Sequence, residues 1–130
     1  GVLSMKNQTY RMTMLFDFYG ELLTPRQKEF FDLYYNEDLS LAEIAENYGI
    51  SRQGVRDVIV RAEAVMTDVE DRTGIIHRFM RSRRAVAAIE QAAAEIEAIN
   101  RHQYDNEQIT EKTTTILSSV KTLKEQEHGI

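Results

Sequence analysis

The chain contains no cysteine and no tryptophan, a single proline, and six glycines in 130 residues. Each shortage excludes something. Without cysteine there are no disulfides, no thiol nucleophile and no zinc site of the cysteine kind. With so few helix breakers, long uninterrupted helices are the economical reading. No apolar run approaches the roughly 20 residues a membrane-crossing helix needs, so direct membrane insertion is not expected. The opening Gly1-Val2-Leu3-Ser4 has neither the basic nor the apolar region of a secretory signal. These four residues read as an expression remnant, residues 1–9 as a flexible N-terminus, and the setting as cytoplasmic. Positive charge is also scarce: 16 Lys+Arg stand against 21 Asp+Glu, a net charge of −5. A phosphate-binding surface therefore has to be concentrated locally.

What is present describes a soluble, all-α chain. Hydrophobic residues at 42% and charged residues at 28% fit a globular protein with one principal core. From Tyr10 to Leu23, Met14, Leu15, Phe18, Tyr19, Leu22 and Leu23 recur at the helical period and predict a core-facing stripe. Thr24-Pro25-Arg26-Gln27 opens a second helix, with Thr24 as N-cap, Pro25 at the first position and Gln27 closing a capping box. That helix carries Phe30, Phe31, Leu33, Tyr34 and Tyr35 and ends near Asn36-Glu37-Asp38. A second capping box, Ser40 with Glu43, starts a short helix that Gly49 ends. Ser51 caps a fourth helix, whose expected buried side is Val55, Val58, Ile59, Ala62, Val65 and Val69. Thr73-Gly74 breaks it.

The segment 40–66 has the design of a helix-turn-helix. Ala45 is small enough for two helices to cross closely, and Gly49, four positions later, tolerates positive φ. Ile44, Tyr48, Ile50, Val55 and Val58 occupy the offsets that lock the two helices together. The domain plan is thus a helical core over 10–72 and a helical arm over 73–130. In the arm, Ala85, Ile89, Ala92, Ile96 and Ile99 form one apolar stripe. Ile109, Thr113, Ile116, Val120 and Leu123 form another, after a turn at Tyr104-Asp105-Asn106. Their alternating spacing of four and three suits packing on each other as a hairpin, or against another subunit in a homodimer.

Two basic clusters stand out. On the second helix of the motif, Ser51, Arg52, Gln53, Arg56, Asp57 and Val60 are exposed candidates. Arg52 and Arg56 suit guanine edges or phosphates, Gln53 suits adenine, and Arg61 suits a phosphate. Between Arg72 and Arg84 lie five arginines and no acid, with Arg78, Arg81 and Arg84 spaced to follow a phosphate backbone. The alternative for this run is a solvated helix face paired with the acids of the tail. No catalytic set appears. His77, His102 and His128 are scattered, no glycine-rich phosphate loop is present, and no cofactor is expected. The chain reads as a binder and not an enzyme.

Leu23-Thr24-Pro25-Arg26-Gln27, followed by Leu39-Ser40-Leu41-Ala42-Glu43-Ile44-Ala45, resembles region 4 of bacterial sigma factors, a helix-turn-helix akin to the winged-helix kind. Arg11-Met12, Leu15-Phe16-Asp17-Phe18-Tyr19, Leu22-Leu23-Thr24 and Ser51-Arg52-Gln53 resemble the YlxM family more closely, over about 10–84. That resemblance implies a DNA-binding or regulatory protein tied to the pathway of the signal recognition particle and its GTPase. The arginine run suits RNA as well as DNA, because A-form RNA is bound largely through shape and backbone, so the target is DNA or the particle's RNA. The other reading is a protein–protein module. There the motif is a scaffold, and the arm binds the GTPase or a second copy. Asp57 and the modest +2 of residues 51–61, three arginines against one aspartate, lean toward that version.

Overall fold

The computed structural model describes residues 2–128 of the chain and the side chains of residues 8–126. Gly1 and the side chains through residue 7, within the expected flexible N-terminus, lie outside the described residues. Among the described residues six helices follow one another: α1 (Val2–Tyr19), α2 (Pro25–Tyr35), α3 (Leu41–Tyr48), α4 (Arg52–Thr73), α5 (Ile75–Ile99) and α6 (Glu107–His128). A 3₁₀ turn, Gly20–Leu22, ends α1, and a π-helical turn, Asn100–Tyr104, joins α5 to α6. No strand occurs among the described residues, so the core they form is all-α and has no wing.

The chain forms two compact units, residues 1–76 and 77–130. In the first, α4 is the element on which α1, α2 and α3 all pack. Two clusters make its core. Met12, Leu15, Tyr19, Leu23, Phe31, Ala62 and Met66 bring α1, α2 and α4 together. Phe30, Ile44, Ala45, Val55 and Ile59 join α2 and α3 to the start of α4. Phe30 and Phe31, adjacent in sequence, are both fully buried and feed one ring into each cluster. Burial of such a ring contributes about 1.5–3 kcal/mol. Phe31 stacks on Phe16 at 4.8 Å and Phe30 meets Tyr48 edge-on at 4.9 Å, within the favoured range for ring pairs.

The stripe expected on α1 needs correction. Leu15, Tyr19 and Leu23 are buried, but Leu22 is 61% exposed and Met14 and Phe18 are only half-buried, while Met12 is buried instead. The chain turns from α-helix to 3₁₀ at Gly20, which rotates Leu22 out of the stripe. On α4, Met66 is fully buried and Val65 is exposed, because the crossing with α1 selects the neighbouring face.

The helix ends follow local chemistry. Thr24 Oγ1 accepts from Gln27 N at 3.2 Å while Gln27 Oε1 accepts from Thr24 N at 3.0 Å. Ser40 and Glu43 repeat the exchange at 3.1 and 3.2 Å. Gly74 ends α4 at φ 64, a left-handed cap that glycine adopts without a Cβ penalty. Across that break the Glu70 carboxylate accepts from Tyr19 Oη at 2.6 Å and from Ile76 N at 2.9 Å. Burial and the Glu70 contact both raise the Tyr19 pKa above its ordinary 10.0.

The second unit is a hairpin of the remainder of α5 with α6. Its seam runs through Ala93, Asn100, Thr113 and Val120, all buried. The α5 stripe expected to form this seam lies beside it: Ala85, Ile89, Ala92, Ile96 and Ile99 are exposed. On α6 the expected stripe is divided, with Thr113 and Val120 in the seam and Ile116 and Leu123 exposed. Asn100 fixes the turn. Its Nδ2 donates to Asn106 O at 3.0 Å and to Thr110 Oγ1 at 2.9 Å, and its Oδ1 accepts from Asn106 N at 2.8 Å. A buried amide so fully satisfied stabilises the turn and does not penalise it. Asp105, at φ 47, completes the reversal.

Candidate nucleic-acid interface

The helix-turn-helix is built from its caps inward. Ser40 starts α3, and Gly49 ends it in the left-handed region at φ 66, with Ile50 N donating back to Ala45 O at 3.1 Å. That closure is a Schellman-type end, and it sends the chain directly into Ser51. Ser51 Oγ then accepts from Gly54 N at 3.0 Å, which starts α4. A Cβ on Gly54 would lie 3.2 Å from Ser51 Oγ. Glycine at this position therefore clears space for the cap hydroxyl. Ile44, Ala45, Val55 and Ile59 form the buried joint between the two helices. The joint fixes α4 with its first turns facing outward.

Those turns present two rows. Arg52, Arg56 and Val60 form one, four residues apart; Gln53, Asp57 and Arg61 form the other, and all six are exposed. The rows differ in character. Gln53 Nε2 donates to Asp57 Oδ1 at 2.9 Å, so the amide suited to reading adenine already serves a neighbour. Arg52, Arg56 and Arg61 make no ion pair among the described residues. Three guanidiniums on two and a half turns are thus open to an external anion. Ser51 is committed as a cap, and its hydroxyl proton remains available to donate.

The first row borders a groove that sequence reasoning missed. Arg52 lines it with Gln8, Thr9, Tyr34, Asp38 and Ser40, and an adjoining hollow is lined by Tyr34, Arg56, Val60 and Glu63. Periodicity places Tyr34 in the apolar set of α2 together with Tyr35. The two rings meet edge-on at 5.0 Å, yet Tyr34 is half out and Tyr35 is the core member. Tyr35 Oη donates to Glu63 Oε1 at 2.7 Å, and burial together with that carboxylate pushes the Tyr35 pKa well up. Tyr48 Oη likewise donates to Glu29, and its pKa is raised by that bond. A Tyr-Tyr pair at a helix end is the available signal, but periodicity does not say which ring turns outward.

The arginine run 72–84 is not uniform. Arg72 belongs to the first unit, and its Nε is held by the Asp68 carboxylate at 3.0 Å. Arg78, Arg81, Arg83 and Arg84 belong to the second unit, where Arg81, Arg83 and Arg84 are exposed. Arg83 lies over the Phe79 ring at 5.7 Å, and Arg81 and Arg84 make no ion pair among the described residues.

The family model of the YlxM/p13-like helix-turn-helix proteins, UPF0122, matches residues 6–116. The chain belongs to the YlxM family. UPF0122 proteins of Bacillus thuringiensis (strain Al Hakam), Bacillus mycoides (strain KBAB4) and Bacillus cereus (strain 03BB102) are each 45% identical to it over 96 residues. Those matches cover 74% of this chain and 87% of each relative. The span matched by the family model takes in the helix-turn-helix, the arginine run and the hairpin as far as Ile116. No described helix of this YlxM protein is long and apolar enough to cross a membrane. Among the described residues, no three His, Cys, Asp or Glu side chains gather to hold a metal ion.

Proposed function

We propose that this YlxM protein is a non-enzymatic, cytoplasmic accessory factor that binds nucleic acid through the first turns of α4, in the signal recognition particle pathway. The observation that carries the reading is the trio Arg52, Arg56 and Arg61, exposed and without ion pairs among the described residues, on the second helix of a helix-turn-helix. Phosphate contacts supply affinity, and they tolerate an acidic total if the local patch is basic. Tyr34 beside Arg52 and Arg56 favours RNA with unpaired bases over plain duplex DNA. An unstacked base can lie on the ring while the guanidiniums hold its phosphates. The particle's RNA is then the first target to test. Arg78, Arg81 and Arg84 are a second set of candidate phosphate contacts. Asp57, which holds Gln53 away from a base, supports the second reading, in which the motif is a scaffold and the targeting GTPase is the partner.

Fluorescence anisotropy with labelled signal recognition particle RNA and a random DNA duplex, across a salt series, tests this. Arg52→Ala/Arg56→Ala should weaken binding and flatten the slope of log affinity against log salt by about 0.7–0.9 for each phosphate no longer neutralised. Tyr34→Ala should cost about 1–3 kcal/mol with the RNA and little with the duplex. No salt-dependent binding to either ligand at low salt overturns the proposal.

A further inference from the structure

The hairpin unit has a face that its own seam leaves uncovered. Ile89, Ile96 and Ile99 of α5 and Ile116 and Leu123 of α6 are between 37% and 51% exposed. Ile96, Ile109 and Ile116 line one groove of about 590 Å³ between the two helices. Ile89 lies seven residues before Ile96, and Ile109, Ile116 and Leu123 are seven apart in turn. The stripes therefore run straight along both helices at the spacing of a helical bundle. By contrast, among the described residues the seam buries only Ala93 and Val120 of the apolar side chains, and both hydrophobic clusters lie in the first unit. None of the described isoleucines and leucines of this unit is fully buried in that seam.

Three features identify the occupant. The groove lining carries one acid and one base, Glu111 and Lys112, so it offers no net charge to select a charged partner. The α6 stripe is symmetric about its middle, with Ile109 and Leu123 each seven residues from Ile116. An antiparallel copy would set Ile116 against itself and Ile109 against Leu123, as a two-fold interface requires. The size also fits. A 22-residue helix is about 33 Å long, and two packed helices are about 20 Å across, so the face offers roughly 650 Å², inside the ~600–1,000 Å² per partner of stable complexes.

We infer that a second copy of the chain docks on this face, antiparallel across a two-fold axis near Ile116, to form a four-helix bundle. The inference does not depend on what α4 binds. Because the chain has no cysteine, single cysteines report the geometry directly. Light scattering on the full chain should return twice the 15.1 kDa chain mass. Ile116→Glu, and separately Ile96→Glu, should shift it to the single-chain mass, with tyrosine fluorescence and far-UV circular dichroism showing the fold intact. Ile116→Cys should crosslink to itself on oxidation. Ile109→Cys should crosslink with Leu123→Cys in a mixture far more than either does alone. A single-chain mass at every concentration overturns the proposal, as does a dimer that persists in both glutamate variants. If Ile109→Cys crosslinks mainly with itself, the antiparallel arrangement is wrong.

Discussion

The start of α4 provides a quantitative test of how one glycine and one serine share a helix end. Gly54 occupies the third position after the Ser51 cap, where alanine would be favoured by up to about 1 kcal/mol on helix propensity alone. In the native structure an added Cβ would sit 3.2 Å from the Ser51 Oγ, which accepts from Gly54 N at 3.0 Å. The hydroxyl would have to give by a few tenths of an ångström, and the capping bond, which contributes about 1 kcal/mol, would lengthen. The two effects nearly cancel, so Gly54→Ala should change stability by less than about 0.5 kcal/mol. Ser51→Ala alone should cost about 1 kcal/mol. In the Ser51→Ala background the obstruction is gone, and Gly54→Ala should then stabilise by about 0.5–1 kcal/mol. The double-mutant cycle should thus return a coupling of roughly 0.5–1 kcal/mol between neighbours three residues apart. Urea unfolding followed by tyrosine fluorescence is a suitable assay, since five of the six tyrosines lie in the first unit. If Gly54→Ala stabilises both backgrounds equally, the account of Gly54 as clearance for the cap is wrong.

Two further predictions rest on the same unit. Tyr35 has its pKa raised above 10.0 by burial and by Glu63, so the fold favours the protonated phenol. That stabilisation is fully present below about pH 10 and is lost as pH rises beyond it. Melting temperature should therefore fall steeply in alkali. Tyr35→Phe should cost about 1 kcal/mol at neutral pH through the missing bond to Glu63, and should make the alkaline fall shallower; an unchanged alkaline slope would refute the assignment. Gly74 sits at φ 64 with nothing within 4 Å of an added Cβ, so Gly74→Ala should cost about 1 kcal/mol from backbone conformation alone. Gly74→Asn should recover much of it, and equal losses in the two variants would point to a different cause.

The sequence alone determined whatever is settled within a few residues. Both capping boxes, the glycine ends of α3 and α4, the break at Gly74 and the helix-turn-helix itself are local. Each depends on a hydrogen bond or a dihedral preference that spans four or five positions, so residue identity and spacing suffice. The faces were decided by the tertiary structure. Leu22 leaves the stripe because the end of α1 tightens at Gly20, and Met12 joins the buried side because α2 and α4 pack on the face it shares with Leu15 and Tyr19. Met66 takes the buried place that periodicity assigns to Val65. In the arm, α5 carries Ala93 next to a richer isoleucine stripe, and the hairpin closes on the alanine. A hydropathy pattern ranks the faces of a helix by apolar content, whereas the turn fixes which face meets the neighbour. Here the turn is held by Asn100, whose three bonds reach Asn106 and Thr110. The Tyr34 groove has the same origin, since two adjacent rings look alike in sequence until α1, α3 and α4 settle around them.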